Sequence, residues 1–138
     1  IRDSIVGDDL RLQLDGSAAF WAVVLPKTGR VIGKFSLFYI NPENRRAEIG
    51  YVLNRQFWGK GYGTEILDAM IATAFDVFHL HRLEADIDPD NAASLALLKK
   101  FGFREEGLFR ERWLMGNEWR DSIMMALLAP AWRLARLR

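Results

Sequence analysis

Apolar residues alternate with polar ones, or run together in β-branched and aromatic stretches, as far as Leu53; they recur every three to four positions over 64–78 and 91–101, and strand-like runs return from Arg82 onward. Ala18 to Leu25 and Val31 to Ile40 are joined by the turn residues Pro26-Lys27-Thr28-Gly29, and Arg45 to Leu53 follows Asn41-Pro42-Glu43-Asn44. These three runs predict antiparallel strands. From Thr64 to Phe78 the apolar positions are 66, 67, 70, 71, 74, 75 and 78, the stripe of an amphipathic helix lying on a sheet. Arg82 to Ile87 predicts a fourth strand, stopped by Asp88-Pro89-Asp90. Asn91 to Phe101 predicts a second helix with Asn91 as its N-cap, an apolar stripe through Leu95, Leu97, Leu98 and Phe101, and Gly102 as its stop. Phe103 to Leu114 and Arg120 to Leu128 are the last two strands, around Met115-Gly116-Asn117-Glu118. Ile1 to Leu14 reads as the frayed end of a helix, and the basic tail from Ala129 to Arg138 as helical or frayed. The order β-β-β-α-β-α-β-β predicts an α+β domain, a mixed sheet with helices on its faces.

Composition narrows the class. At 138 residues with half of them hydrophobic, the chain suits one domain over 1–138 with a single core. The formal net charge is +1 and the charges of both signs are interspersed, so neither nucleic acid nor an anionic membrane is called for as a partner. Cysteine is absent, which excludes disulfides, thiolate metal sites and a thiol nucleophile and fits a cytoplasmic protein. No apolar run approaches the roughly 18 residues that span a bilayer.

The stretch with most chemistry in it is Trp58-Gly59-Lys60-Gly61-Tyr62-Gly63-Thr64, between the third strand and the first helix. Glycine at every second position lets the backbone take positive φ and come close to a ligand. The first N–H groups of a helix have no partner inside it, and the dipole adds positive charge at that end. Such a turn attracts phosphate, and Lys60 adds a full charge. A merely tight connection is the competing reading. The spacing matches neither a P-loop nor a dinucleotide fingerprint.

Trp58-x-x-Gly61-x-Gly63 does resemble the pyrophosphate loop of the GCN5-related N-acetyltransferases, Arg/Gln-x-x-Gly-x-Gly/Ala, with Trp where Arg or Gln is usual. That departure is familiar in the branch resembling the ribosomal-protein alanine N-acetyltransferases (RimJ/RimL-like). Asn91-x-x-Ser94 followed by Lys100-x-Gly102-Phe103 resembles a second segment of the same family, in the right order and with the right element between the two. The resemblance covers about Ala18 to Leu128. It implies a central mixed, mostly antiparallel sheet with helices on both faces, and acetyl-coenzyme A lying where the third and fourth strands part, its pyrophosphate on the 58–64 loop. It also implies a strand and helix before the hairpin, where this chain has little before Ala18, so the domain is expected to lack part of that segment.

On this footing Trp58, Gly59, Lys60, Gly61, Tyr62, Gly63, Thr64, Asn91 and Lys100 are candidate cofactor-binding residues. Gly50, inside a strand of good β-formers, predicts either a bulge or a close backbone approach; packing against an aromatic ring is the alternative. A bulge or close approach would leave N–H and C=O groups of Val52 and Leu53 for the amides of pantetheine. Glu48 is the candidate general base, on the same strand face as Gly50 and Val52; an ion pair with Arg45 or Arg46 is the plainer reading. Ser94 is the candidate donor to the coenzyme sulfur, with local capping as its alternative. Lys100 at a helix end needs no ligand to explain it. The family often carries an aromatic hydroxyl in its last strand, where this chain has Met124-Met125, so no tyrosine acid is assigned.

His79 and His81 lack a third ligand, and Asp86-x-Asp88-x-Asp90 lacks the Gly and Glu of a calcium loop, so no metal is expected. Trp113 and Trp119 suit either an acceptor groove or edge packing. The function expected is transfer of acetyl from acetyl-coenzyme A to a primary amine, in the first place a protein or peptide N-terminus. Alternatives are a small amine such as a polyamine or aminoglycoside, and a non-catalytic acyl-coenzyme A-binding module. An unpaired edge strand would allow a homodimer.

Overall fold

A computed structural model describes residues 17–137 together with the backbone of 5–6 and 11–12. The chain divides into two units, one up to Leu80 and one from His81. Six strands of six residues or more and the helices between them follow the expected order, and the class is α+β.

The first unit is built on β3 (Ala19–Leu25), β4 (Arg30–Asn41) and β5 (Arg46–Leu53), paired antiparallel in chain order. Two short strands, β1 (Ile5–Val6) and β2 (Arg11–Leu12), pair with β3. The expected helical end is therefore corrected at those four residues, where strand pairing satisfies the backbone; the rest of Ile1 to Leu14 lies outside the described residues. The turns are as the residues predict. Gly29 takes φ 68° and donates to the Leu25 carbonyl at 2.8 Å, and the Asn41 side chain accepts from Asn44 N–H at 3.0 Å.

Alternation along these strands sorts side chains to two faces. Val23, Phe35, Leu37, Ala47 and Ile49 are buried, and Trp21 stacks on Phe35 with ring centroids 4.6 Å apart. Each large side chain so removed from water contributes roughly 1.5–3 kcal/mol before entropy is counted.

The helix differs from expectation at both ends. α1 runs Tyr62–Ala72, starting two residues before Thr64 because Gly61, at φ 85°, serves as the N-cap. Its buried face is Ile66, Leu67, Met70 and Ile71. From Thr73 to Val77 the helix widens into a π turn, with Phe78 N–H donating to the Thr73 carbonyl at 3.0 Å. The Thr73 hydroxyl bonds the Ala69 carbonyl at 2.8 Å at the point of widening, the back-bonding that loosens a helix. Ala74 and Phe75 stay buried through the turn, and Phe78 meets Trp21 edge-on at 5.7 Å.

In the second unit β6 (Arg82–Ile87), β8 (Glu118–Leu128) and β7 (Arg104–Met115) pair antiparallel in that spatial order. β7 breaks register twice, between Glu105 and Gly107 and between Phe109 and Trp113. α2 (Ala92–Lys100) buries only Leu98 fully, a narrower stripe than the sequence suggests. The basic tail is helical: α3 (Ala129–Arg136) has Pro130 in its first turn and buries Trp132. No helix among the described residues is long and apolar enough to cross a membrane.

Candidate functional site

The strand-to-helix passage of the first unit is fastened at three points. Asn54 N–H donates to the Ile32 carbonyl at 2.8 Å, closing the β4–β5 ladder. Arg55–Phe57 forms one turn of 3₁₀-helix, with Trp58 N–H on the Arg55 carbonyl at 3.0 Å. The Trp58 indole then folds back, its Nε1–H donating to the Leu53 carbonyl at 2.7 Å, while Arg55 lies over the ring with Cζ 5.4 Å from the centroid. Trp58 therefore staples the loop to the end of β5.

Two of the three loop glycines are required by the backbone. Gly59 takes φ 73° and Gly61 φ 85°, in the left-handed region that costs a residue with Cβ roughly 1–2 kcal/mol. Gly63 lies inside the first helical turn. The first intrahelical bond is from Glu65 N–H to the Gly61 carbonyl at 3.2 Å, so the N–H groups of Tyr62, Gly63 and Thr64 are first-turn donors with no acceptor within α1. Lys60 is exposed, its Nζ 5.7 Å from the Phe57 ring, and Tyr62 meets Phe57 edge-on at 6.0 Å. An exposed turn that offers amide hydrogens, a dipole end and a lysine is chemically an anion site.

Glu48 is half-buried in mid-strand, opposite Phe38, on the face it shares with Gly50 and Val52. Gly50 is neither a bulge nor a backbone approach. It stays in register with Ser36, and a Cβ added there would lie 2.6 Å from Phe38 Cε2, so the aromatic ring occupies the missing side chain's space. The close backbone approach is at Gly33 instead, where a Cβ would collide with the Val52 carbonyl. Gly33, like Gly50, is a glycine inside a β-rich run, and the same signal identifies it.

The strand amides are also redistributed. The Asn54–Ile32 bond makes Gly33 and Leu53 a non-hydrogen-bonded pair and Lys34 and Val52 a hydrogen-bonded one, so the backbone groups of Val52 face β4. The expectation that Val52 and Leu53 both leave N–H and C=O groups unpaired is corrected: the ladder takes those of Val52, and the Trp58 indole takes the Leu53 carbonyl. The Leu53 N–H is directed away from β4.

In the second unit, Asn91 is the N-cap of α2, its Oδ1 accepting from Ser94 N–H at 3.1 Å. Gly102, at φ 98°, closes the helix with N–H to the Lys99 carbonyl at 3.0 Å, and Phe103 N–H reaches the Leu98 carbonyl at 3.1 Å. The Asn-x-x-Ser and Lys-x-Gly-Phe pairs thus bracket one helix. Lys100 is exposed, and its neighbour Lys99 pairs with Glu105 at 3.1 Å.

The three spaced aspartates are held by cations. Asp86 accepts from Trp113 Nε1 at 3.1 Å and Arg112 Nε at 3.3 Å. Arg120 holds Asp88 at 2.9 Å, Asp90 at 2.6 Å and Glu118 at 3.0 Å. Hydrogen bonds from Arg120 keep the Asp88 carboxyl below its ordinary range, and those carboxylates raise Arg120 in turn. Arg82 likewise holds Glu106 below its usual value across a 2.6 Å ion pair. Met125 is buried in β8, opposite Ala85 and Glu105. Among the described residues no three His, Cys, Asp or Glu side chains gather as metal ligands.

The chain is similar to known proteins in sequence and in fold. The chain is 38% identical over 117 residues to the uncharacterized N-acetyltransferase p20 of Bacillus licheniformis, covering 85% of this chain and 66% of that protein. It is 31% identical over 118 residues to the [ribosomal protein uS5]-alanine N-acetyltransferase of Escherichia coli, covering 85% and 61%. The chain thus spans under two thirds of the length of these relatives. Its fold matches the Vibrio cholerae spermidine N-acetyltransferase solved in complex with CoA and spermine, with a TM-score of 0.82 at 22% identity over 87% of this chain and 70% of that one. A model of the acetyltransferase (GNAT) domain matches residues 4–104, so with the glycine turn, the capped helix and the sheet order in hand, the chain belongs to the GNAT acetyltransferase family.

Proposed function

We propose that this chain carries an acetyl-coenzyme A-dependent N-acetyltransferase that acts on a primary amine, in the first place the N-terminal amine of a protein or peptide. The observation that carries the reading is the 58–64 turn. Its two left-handed glycines and the first-turn amides of Tyr62, Gly63 and Thr64 offer a pyrophosphate the donors it needs, with Lys60 beside them. Val52 and Leu53 supply the strand next to the pantetheine arm, Leu53 through its N–H. In the second unit Asn91 and Lys100 are the further coenzyme contacts of the proposal.

The chemistry asks little beyond placement. An uncharged amine attacks the thioester carbonyl, a C–N bond forms, the C–S bond breaks, and the thiolate takes up the proton the nitrogen gives up. Orientation of two bound substrates supplies much of the acceleration. A strand N–H at Leu53 polarises the carbonyl. Glu48 takes the amine proton, directly or through water, and Ser94 donates to the departing sulfur. The choice of a peptide amine over a polyamine is supported by the state of four of the second unit's acids, since Asp86, Asp88, Asp90 and Glu118 are held by Arg112 and Arg120. Among the described residues Glu111 and Asp121 stand in no such ion pair and are the acids a polyamine would be left with. A polycation would need acidic groups that are not already neutralised.

The test is release of free thiol from acetyl-coenzyme A in the presence of an alanine-terminated peptide or of spermidine. Turnover with the peptide, and a kcat about 10²-fold lower for Glu48→Gln at unchanged coenzyme affinity, is the expected result. Binding without turnover of any amine would make the chain an acyl-coenzyme A-binding module.

A further inference from the structure

The first unit concentrates cations that have no carboxylate. In the second unit Arg82, Lys99, Arg112 and Arg120 each sit in an ion pair, while Lys100, Arg104, Arg110 and Arg136 do not pair with any described residue. Among the described residues none of Arg30, Arg55 and Lys60 does, although the whole chain is near neutral at +1. All three lie around the glycine turn. Arg30, the first residue of β4, reaches across to Phe57 with Cζ 5.3 Å from the ring centroid, and Lys60 approaches the same ring at 5.7 Å. Arg55 covers Trp58. Like charges gathered without counter-ions repel one another, and an arrangement of this kind is stabilised by a bound polyanion.

Arg30 is also positioned rather than free. Its backbone N–H is held by the Thr28 hydroxyl at 3.2 Å, and the Gln56 amide, once turned so that its oxygen rather than its nitrogen faces the guanidinium, accepts from both terminal nitrogens, at 3.3 Å from Nη1. A guanidinium has five N–H donors, and one amide carbonyl occupies two of them. Of the three that remain, the Nε–H and the outer N–H of the terminal nitrogen beside it lie on one edge and form a planar fork suited to a phosphate.

Coenzyme A carries its anions in two places. The pyrophosphate suits the amides of the turn, and the 3′-phosphate hangs one ribose away. We propose that Arg30, beside Lys60 over the Phe57 ring, binds the 3′-phosphate of coenzyme A, so that this chain selects the 3′-phosphorylated coenzyme over its dephospho form. This rests on the reading that the turn holds coenzyme A. It assigns to a hairpin residue far from the glycine motif in sequence a part in choosing the ligand.

The experiment is calorimetric titration of coenzyme A and of dephospho-coenzyme A, which has a 3′-hydroxyl, into the chain and into Arg30→Ala and Arg30→Lys, each checked for fold by circular dichroism. The expected result is about tenfold tighter binding of coenzyme A than of the dephospho form, as one charge-assisted phosphate contact implies. Arg30→Ala should abolish that ratio with dephospho-coenzyme A bound as before, and Arg30→Lys should keep part of it. Equal affinity of the unaltered chain for both ligands would overturn the proposal and leave the coenzyme reading standing. So would a ratio that survives in Arg30→Ala, including a case where both affinities fall together, which would make Arg30 a support of the loop. Failure of both ligands to bind would overturn the coenzyme reading and this proposal with it.

Discussion

Trp58→Phe tests the loop staple by removing one hydrogen bond and little else. The ring survives, as does the surface under Arg55, but the indole N–H that reaches the Leu53 carbonyl at 2.7 Å is gone. Trp58 is 58% exposed, so water can replace the lost donor at the carbonyl, and the net loss is about 1 kcal/mol rather than the full cost of an orphaned group. If the stapled loop is the form that binds, that loss lowers its population by at most about fivefold, and the apparent affinity for acetyl-coenzyme A with it. Calorimetry measures the affinity, and amide hydrogen exchange at Gly59 to Gly61 measures the staple directly. Exchange there should quicken in Trp58→Phe to about the same extent as affinity falls. Wild-type affinity and exchange in Trp58→Phe, with a loss only in Trp58→Ala, would refute the argument and show that the face of the ring matters instead of its N–H.

Other positions give sharper stability effects. Gly50→Ala places a Cβ 2.6 Å from Phe38 Cε2, against 3.4 Å for ordinary contact, and should lower the urea stability by about 1–3 kcal/mol, recovered in part by adding Phe38→Leu. Gly59→Ala meets nothing within 4 Å and should cost only the strain of φ +73°, about 1–2 kcal/mol. Asn91→Ala should cost about 1 kcal/mol as a lost cap, and Asn91→Asp should retain it. Glu106 and Asp88 have carboxyl groups held below their ordinary values of 4.5 and 3.8, so their contribution to stability is fully present above those values and is lost as pH falls below them through the lowered values of the folded state. The denaturation midpoint should therefore drop between about pH 5 and pH 2, less steeply in Arg82→Met and Arg120→Met, and less steeply in high salt because these pairs are exposed.

The elements of the fold were legible wherever local chemistry and tertiary packing agree. Pro26 to Gly29, Asn41, Asn91 and Gly102 each do in the structure what their residue types predict, because capping and turn geometry are decided within a few residues. The start of α1 was misplaced because a glycine in the left-handed region can cap a helix without any side chain, and Gly61 looks no different from Gly63 in sequence. The π turn at Thr73 follows from a hydroxyl bonding backward, which competes with the ladder too finely for an apolar stripe to reveal. In the candidate site, the glycine turn and the face of Glu48 could be read, since one depends on spacing and the other on alternation. Hydrogen-bond direction along β5 could not: it depends on which residues of β4 stand opposite, and a single strand does not contain that information. Arg30 was missed for the same reason, being brought to Phe57 only by the hairpin.

The pairing of β4 with β5 has a meaning beyond strength. A slip of one residue would send Glu48 and Val52 to the buried face, bring Ala47 and Ile49 out, and turn the Val52 amide outward in place of that of Leu53. The chemistry of the candidate site is therefore written in an alignment, and the parts that index it lie away from the reacting groups. They are the Asn41–Asn44 turn with Arg45 at φ 53°, the Phe38 ring seated over Gly50, and Gly33 admitting the Val52 carbonyl. Substitutions at those positions would silence the proposed activity with its proposed catalytic and coenzyme-binding side chains intact, like a vernier read one division out.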